Sequence, residues 1–309
     1  PFEYPIAATL NIDTQSFIRN GGYIISNTSG SVLGNPNLKP ERIDEIEFGV
    51  EGRFFNNRLR MDLSIYNKKT NDLIISRPLD PSTGYTSTQT NIGLIENKGV
   101  ELDLSMDWIQ SDDGINLSTS LNWSTNDAIV IDLGEDTDRI VYAGFGTLGN
   151  AAIPGESLGS IIGSSITRSG ATIEASRWVG GDGDLVVNNQ GSYDETFDPT
   201  IIGDANPDWI ANISNNVSYK NLSLNFLFNF QAGGDIYSTT VATLLGRGLT
   251  TDTLDRELSF ILPGVNNGQP NNKQINNSTF YFSNVLYGPD EMRMYDATHW
   301  RLGEVSISY

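Results

Sequence analysis

Apolar and polar residues alternate one by one along several segments of the chain, most clearly between residues 91 and 126. Residues 100–108 read VELDLSMDW and residues 115–123 read INLSTSLNW, with a turn-forming SDDG between them. A period of two places the apolar side chains on one face of a strand and the polar side chains on the other. The pattern predicts a β-hairpin with one apolar and one polar face.

Other parts of the chain repeat this alternation around tight turns. The predicted strands are 45–55, 58–75, 209–219, 222–230 and 300–309. Asn56-Asn57 separates the first two, and Asn tolerates the positive φ of a tight turn better than most residues. Lys220-Asn221 separates the next two. The sequence therefore predicts an all-β fold made largely of antiparallel hairpins.

The lengths of strands and connections favour a membrane-spanning wall. A tilted strand crosses a bilayer with about 9–11 residues, which each arm provides. Short turns such as SDDG alternate with long connections at residues 77–90, 128–207 and 235–298. Outer-membrane barrels have the same alternation of short periplasmic turns and long extracellular loops. We predict an antiparallel transmembrane β-barrel whose apolar faces contact outer-membrane lipid and whose polar faces line the lumen.

Aromatic residues provide a second expectation about the membrane. Trp108, Trp123 and Tyr219 are assigned to the aromatic girdle at the periplasmic boundary.

The competing interpretation is a soluble all-β protein, which composition alone favours. Hydrophobic residues make up 38% of the chain and the mean hydropathy is −0.27. These values exclude a helical membrane protein, but they are compatible with a barrel, which shows lipid only every second residue.

Charge and cysteine content exclude several kinds of partner and chemistry. The net charge of −19 argues against nucleic acid as a partner, since phosphate binding requires a basic surface. The chain has no cysteine, so disulfides, thiol chemistry and Cys-ligated metals are excluded.

Five segments stand out by their order and spacing. They are NPNLKPE (35–41), NIGLIENKGVEL (91–102), PGESLGS (154–160), IIGDANPDW (201–209) and DATHWRLGEVSISY (296–309). Together they resemble the SusC/RagA family of TonB-linked (TonB-dependent) outer-membrane transporters of Bacteroidota. The resemblance covers nearly the whole chain but only part of the family's length.

The resemblance implies import of large nutrients, either oligosaccharides or peptides. Family members form barrels of about 22 strands around a plug. They work with a SusD-like surface lipoprotein and take energy from TonB through the plug. Residues 1–309 are then expected to form one partial barrel domain, incomplete at both ends, without the plug and the final strands. Barrel-assembly machinery is a further candidate partner, because unpaired strand edges require cover.

Two kinds of loop residue are candidates for ligand binding. Asp182 and Asp184 lie in a GGDGD segment whose oxygens suit Ca²⁺, although a solvated loop is the simpler interpretation. The segment also lacks the regular spacing of the acidic stretch that many family members have nearby. Aromatic side chains in the long connections are candidates for stacking on substrate, with packing between loops as the alternative. These are Trp178, Tyr193, Tyr237, Tyr281 and Tyr295.

We expect a transporter without catalytic residues and without a resident cofactor. His299 is the only histidine, which does not suffice for a His-rich metal site or a catalytic triad. Glu101 and Asp103 resemble the carboxylate pair of a glycosidase, but a hydrated lumen wall explains them more simply. The alternative function is that of a soluble or surface-attached all-β protein that binds or degrades glycans.

Overall fold

The computed structural model describes residues 10–13, 18–19, 22–23, 26–29, 31–134, 137–145, 147–174 and 177–309. Its strands are β1 (Leu10–Asp13), β2 (Ile18–Arg19), β3 (Gly22–Tyr23), β4 (Ser26–Ser29), β5 (Val32–Leu33), β6 (Arg42–Phe54), β7 (Leu59–Pro78), β8 (Ser87–Ile109), β9 (Ile115–Asp132), β10 (Ile140–Phe145), β11 (Leu148–Ala152), β12 (Ser160–Gly163), β13 (Thr172–Glu174), β14 (Arg177–Val179), β15 (Thr200–Asp204), β16 (Trp209–Tyr219), β17 (Leu222–Ala232), β18 (Asp235–Tyr237), β19 (Ser259–Ile261), β20 (Val265–Asn266), β21 (Gln269–Pro270), β22 (Gln274–Asn276), β23 (Met294–Asp296) and β24 (His299–Ser308). The α-helices are α1 (Thr239–Gly246) and α2 (Asn277–Phe280).

The predicted strands form one continuous antiparallel sheet. Its order is β24-β17-β16-β9-β8-β7-β6, with the short β5 paired in parallel to β8. We call this sheet the wall. All three predicted hairpins are confirmed, and each strand pairs with its neighbour over at least nine residues. No helix in the described part of the chain has the length and apolar content needed to cross a bilayer.

The register of the wall collects apolar side chains into rows that cross six or all seven of its antiparallel strands. One row runs through Val50, Leu63, Leu102, Trp123, Ala211, Phe230 and Trp300. The next row towards the short turns contains Met61, Leu104, Leu121, Ile213, Phe228 and Leu302. Because side chains alternate between faces, these rows give the wall a single apolar face.

The apolar face is largely uncovered in the isolated chain. Side chains at its margins are very exposed, among them Ile46 at 81%, Trp300 at 70% and Ile307 at 71%. The buried apolar clusters instead centre on Val130 and on Val187, at the end of the wall that carries the long connections. A soluble sandwich would bury this face against a second sheet. The arrangement is that of a transmembrane wall whose apolar face meets lipid.

The opposite face of the wall carries hydrophilic rows in the same register. One row contains Glu51, Asp62, Asp103, Asn122, Asn212, Asn229 and Arg301. Its members are hydrogen-bonded to one another: Asn122 Nδ2 donates to Asp103 Oδ1, and Asn229 Nδ2 donates to Asn212 Oδ1 at 2.5 Å. Such a face suits a water-filled lumen, where charges and amides keep their hydration.

The aromatic girdle differs from the sequence prediction at one residue. Trp108 and Tyr219 lie beside short turns, as predicted, and the Trp108 indole donates to Thr119 Oγ1 at 3.0 Å. Trp123, however, lies eight residues along β9 from Ile115, opposite Leu102. At ~3.4 Å per residue it is about 27 Å from the turn. Its assignment to the periplasmic girdle was wrong, because it lies towards the extracellular end with Trp300.

Three strands continue well beyond the length that a bilayer requires. β7, β8 and β9 contain 20, 23 and 18 residues, whereas β16 and β17 contain 11 each. The connection predicted as a long loop at 77–90 is therefore shorter, because β7 extends to Pro78 and β8 begins at Ser87. Beyond the end of β16, backbone bonds from Glu156 and Leu158 cover the edge of β9. The antiparallel sheet β10-β11-β12-β15 follows β9 and packs there around Ile95 and Val130.

An arginine on the apolar face tests the orientation of the wall. We expect Ile213→Arg to lower the free energy of unfolding by about 2–4 kcal/mol in phospholipid vesicles, since a charge near the bilayer midplane is poorly solvated. The control is Ser214→Arg, which places the same charge on the polar face and should cost below about 1 kcal/mol. Urea titration of the full-length protein, followed by tryptophan fluorescence, measures both variants. Equal losses would contradict the assignment of the two faces.

Candidate functional site

The two long connections of the wall fold together above its extended end. Residues 133–208 contain β10 to β15, and residues 233–298 contain β18 to β23 with both helices. We call these two segments the loop layer. They contact each other through side chains and through short bridges such as Val186 to Val265. The loop layer therefore presents a folded surface and not a set of independent loops.

A largely buried ion pair of the second segment, Asp290 with Arg293, is bonded to the first segment through Asp290. Asp290 Oδ1 accepts from Arg293 Nη1 at 3.1 Å, and the two side chains are only 14% and 15% exposed. Asp290 Oδ2 accepts from the backbone N–H and the hydroxyl of Ser164, both at 3.2 Å. The neighbouring Glu291 accepts from the backbone N–H of Ile166 at 3.0 Å. Two acidic residues of the second segment thus hold one strand end of the first.

The remaining bonds of this pair are also made within the protein. Arg293 donates to the carbonyls of Val285 at 3.0 Å and of Gly288 at 2.7 Å, and to the Tyr237 hydroxyl at 2.6 Å. Burial raises the pKa of the Tyr237 hydroxyl, while its bond from Arg293 acts in the opposite direction. Buried charges are tolerated when all their bonding capacity is used. The ion pair of Asp290 and Arg293 therefore holds the two segments of the loop layer in a fixed arrangement.

A half-enclosed cleft of 410 Å³ lies between the two segments. One side is formed by residues 186–190 and the other by the hairpin of β20 and β21. Asn189 Oδ1 accepts from the amides of Asn266 and Asn267, each at 3.3 Å. Asn266 also donates to the carbonyl of Val187 at 2.7 Å. The carboxamides are thus held in place by one another and by the backbone.

The chemistry of the cleft suits a polar ligand. Its carboxamides can both donate and accept hydrogen bonds, as sugar hydroxyls and peptide groups require. Arg168 and Asp194 also line it and add one charge of each sign. Burial raises the pKa of the Asp194 carboxyl, and a bond from Asn188 opposes the shift. The cleft offers recognition groups but no nucleophile paired with a base.

The predicted tyrosines take part in packing within the loop layer. Tyr193 and Phe280 pack on the cluster of Val187, Leu262 and Ile275. Tyr281 meets Phe280 edge-on at 5.2 Å between ring centroids. The Tyr295 hydroxyl is buried and has no hydrogen-bond partner among the described residues. Burial raises the pKa of the Tyr193, Tyr281 and Tyr295 hydroxyls. Trp178 lies in β14 opposite Ile173, and its side chain is outside the described residues.

The predicted calcium candidates lie apart from other acidic groups. Asp182 and Asp184 are exposed, and the Asp184 carbonyl accepts from the backbone N–H of Ser169 at 2.8 Å. Within the described residues, no three His, Cys, Asp or Glu side chains are grouped so that they could hold a metal ion. A calcium ion at this place would need ligands from carbonyls or water in addition to these two carboxylates.

One feature of the loop layer, the carboxamide cleft, could not be recognised in the sequence. The cleft was missed because its amides come from parts of the chain almost eighty residues apart. The available signal was Asn267-Gly268, a typical hairpin turn in which both residues have positive φ. Phe282 and Tyr287, two further loop aromatics that the sequence marks as candidates for contact with substrate or the lipoprotein, form an exposed pair with ring centroids 5.0 Å apart. Arg247 donates to the Tyr287 hydroxyl at 3.1 Å and lies over the Phe282 ring.

Comparison with known proteins agrees with the interpretation of the wall as part of a β-barrel. The family described as TonB dependent receptor-like, beta-barrel, matches residues 7–161. TonB-dependent receptor P3 of Formosa agariphila is 31% identical over 235 residues, which are 72% of this chain and 23% of that protein. TonB-dependent receptor SusC of Bacteroides thetaiotaomicron is 32% identical over 119 residues, which are 38% of this chain and 12% of that protein.

Solved structures share the fold. The RagAB peptide importer in its closed-closed state matches 98% of this chain and 32% of the compared chain, with a TM-score of 0.63 and 21% identity. In its open-open state the match covers 76% of this chain and 24% of the other, with a TM-score of 0.51. The chain spans about a quarter of the length of the P3 relative and about a third of the chain solved in the closed-closed state.

Removing the Asp290 carboxylate tests the joint between the two segments. Asp290→Ala leaves Arg293 buried without its counter-ion, and we expect docking of the segments to weaken by about 3–5 kcal/mol. Hydrogen exchange of the full-length protein in detergent should show faster exchange at Ser164 and Ile166. The control is Asp252→Ala, an exposed carboxylate of the same segment. Unchanged exchange at both positions in Asp290→Ala would contradict the proposed role.

The raised pKa of Asp194 predicts a pH dependence of the cleft. The folded protein binds this proton more tightly than the unfolded chain, in which the pKa of an aspartate carboxyl is near 3.8. Stability contributed by Asp194 should therefore fall as the pH rises from below 3.8 through the raised pKa. Asp194→Asn should remove this part of the dependence. Hydrogen exchange of residues 186–194 across that range measures it, and identical pH profiles of variant and wild type would contradict the prediction.

Proposed function

Because this chain belongs to the TonB-dependent receptor-like β-barrel family of the outer membrane, we propose that it forms wall and extracellular loops of an importer for large nutrients. The proposed cargo is an oligosaccharide or a peptide. Energy for the complete protein would come from TonB, and a SusD-like surface lipoprotein would deliver or enclose the cargo. In this proposal the chain has a transport role and no catalytic one, and it needs no resident cofactor.

The two-faced wall is the observation that carries this proposal. Apolar rows cross the sheet on one side, and a row of acids, amides and arginine crosses it on the other. An importer needs this combination, because lipid must be excluded on one side while a hydrated cargo passes on the other. A soluble glycan-binding or glycan-degrading protein would leave the exposure of Ile46, Trp300 and Ile307 unexplained.

The loop layer supports the proposed class of cargo and partner. The carboxamide cleft matches polar groups that sugars and peptides share. The exposed Phe282, Tyr287 and Arg247 are residue types that dominate protein interfaces, so we assign them to contact with the lipoprotein. The predicted aromatic residues Trp178, Tyr193, Tyr237, Tyr281 and Tyr295 would then act mainly by shaping this surface. Asp182 and Asp184 remain the candidates if calcium stabilises it.

The two edge strands of the wall, β6 and β24, concern the question of which further strands complete the barrel. Within the described residues, β6 and β24 each pair with a wall strand on one side only. In the membrane these edges require further strands, since unpaired backbone groups are costly in hydrocarbon. We propose that residues 1–309 belong to one barrel domain and that neighbouring wall strands cover both edges. Barrel-assembly machinery would meet the same edges during insertion.

Deletion of the gene that encodes the complete protein tests the import function. We expect the deletion strain to lose uptake of at least one oligosaccharide or peptide from a labelled panel. Energised passage through the complete protein requires the proton gradient, so a protonophore should abolish the same uptake in the wild type. The full-length gene supplied in trans should restore it. Unchanged uptake of every oligosaccharide and peptide in the panel would overturn the proposal.

The partner is tested separately from the cargo. The tagged full-length protein, extracted in mild detergent, should retain a SusD-like lipoprotein that mass spectrometry identifies. Phe282→Ala combined with Tyr287→Ala should reduce its recovery, whereas Ser214→Ala on the wall should not. Equal recovery from both variants would contradict the assigned contact without affecting the uptake result.

A further inference from the structure

The asparagines that line the carboxamide cleft are held in one orientation by the backbone. Asn266 Nδ2 donates to the Val187 carbonyl at 2.7 Å, which determines which end of this amide is the nitrogen. The same nitrogen donates to Asn189 Oδ1 at 3.3 Å, and Asn267 Nδ2 donates to the oxygens of Asn189 and Asn266. The Asn189 oxygen therefore accepts twice, while its Nδ2 has no partner among the described residues.

Another asparagine of the cleft uses its oxygen in the same way. Asn188 Oδ1 accepts from the backbone N–H groups of Gln190 at 2.9 Å and of Ser192 at 3.1 Å. Its side chain is also hydrogen-bonded to the Asp194 carboxylate. Gln190 is exposed, and its carboxamide has no partner in the part of the chain that the structure describes. Three of the four asparagine oxygens that line the cleft are thus occupied, while amide N–H groups remain free.

Arg168 is the strongest free donor of the cleft. It is exposed, and it lines both the cleft and a second cavity of 310 Å³. The other arginine side chains described in the loop layer are bonded to the protein; these are Arg139, Arg247, Arg256 and Arg293. The Arg168 guanidinium makes no such bond to a described residue. Because its planar fork of N–H groups fits a carboxylate with two parallel bonds, the free donors of the cleft favour an anionic group.

Asp194 adds a requirement for a hydrogen-bond donor on the ligand. It lines the cleft, is half-buried and forms no ion pair with Arg168. A ligand that reaches both residues must present an anion to Arg168 and an O–H or N–H group to Asp194. Sugar acids meet this condition, because they carry a carboxylate and several hydroxyls on one ring. Asp182 and Asp184 are exposed and do not line the cleft, so water screens their repulsion of an anion.

The backbone around the cleft disfavours an extended peptide as the ligand. Such peptides bind by adding their main chain to a free strand edge. Here the Val187 N–H donates to the Val265 carbonyl, and the Val265 N–H donates to the Leu185 carbonyl, both at 2.8 Å. The Asn188 N–H donates to the Ser192 carbonyl, also at 2.8 Å. Because these main-chain groups are already paired within the loop layer, recognition is left to side chains, which suits the hydroxyls of a sugar.

We propose that the carboxamide cleft binds a uronic acid unit of an acidic oligosaccharide. Its carboxylate would accept two parallel bonds from Arg168. Its hydroxyls would donate to Asp194 and accept from the amide N–H groups of Asn189 and Gln190. The volume of 410 Å³ lies within the range of about 300–1,000 Å³ that small-molecule sites occupy. This assignment rests on the proposed import function, since it specifies the cargo, but binding is measured without uptake.

The charge of the cargo decides its affinity for this site. A neutral sugar can bond to the amides and to Asp194, but it leaves Arg168 without an acceptor of opposite charge. Charge-assisted bonds are about twice as strong as neutral ones, and one of them corresponds to about a tenfold difference in affinity. The methyl ester of a uronic acid keeps every hydroxyl and loses the charge. Comparison of an acid with its ester therefore isolates the contribution of Arg168.

Isothermal titration calorimetry of the full-length protein in detergent tests the site. The ligands are trisaccharides of galacturonate, glucuronate and mannuronate, each beside its methyl ester. We expect at least one acid to bind about tenfold more tightly than its ester. Arg168→Gln should make the two affinities equal, and Arg168→Lys, which keeps the charge but not the planar fork, should retain only part of the difference. The control is Arg256→Gln, which removes an exposed arginine outside the cleft and should leave the tenfold difference unchanged.

A peptide ligand distinguishes the two sources of a carboxylate. Triglutamate carries carboxylates without hydroxyls, and we expect it to bind more weakly than the preferred sugar acid; equal or tighter binding would overturn the assignment to a sugar. Failure of all three acids to bind more tightly than their esters, or a preference that survives in Arg168→Gln, would overturn the site. Heat-dependent gel mobility confirms that each variant is folded. Gene-dependent uptake of a neutral sugar or a peptide would leave the import function standing in either case.

Discussion

The fold depends on the need to pair every backbone amide where water is absent. In hydrocarbon an unpaired N–H or C=O costs several kcal/mol, so a sheet can cross only if its ladder is continuous. From β6 to β24 every strand of the wall is hydrogen-bonded to its neighbour, with register shifts confined to the β8–β9 and β17–β24 pairs. Side-chain chemistry is then free to differ completely between the faces. The apolar rows, the hydrophilic rows and the short turns are all consequences of that one ladder.

The parts predictable from sequence were those set by local periodicity. Period-two alternation located all seven antiparallel strands of the wall, and Asn56 and Lys220 marked two turns where the backbone has positive φ. Trp123 was misassigned because alternation gives the face of a residue but not its height in the membrane. The true lengths of β7 to β9 were missed for a related reason: beyond the bilayer, Ile95 and Val130 face a protein core, so their apolar character no longer marks the lipid side.

The loop layer was poorly predictable because its contacts join distant residues. Asp290 and Ser164 are 126 residues apart in the chain, and nothing in either local sequence indicates the other. The tyrosines illustrate the same limit. An aromatic residue in a polar loop is equally compatible with a ligand surface and with a small core, and only the neighbours of Tyr193 and Tyr281 show their packing role. The packing around the residue, and not the composition of the loop, decides between these roles at such positions.

The unequal heights of the strands give the rim of the wall a tall side and a low side. On the tall side, the cluster around Val130 lies on the same face as the hydrophilic rows, so the sheet β10-β11-β12-β15 packs on the face of the wall that is assigned to the lumen. Backbone hydrogen bonds of Glu156 and Leu158 to the edge of β9 hold this part of the loop layer in place. The low side of the rim is formed by β16, β17 and β24, which contain 11, 11 and 10 residues.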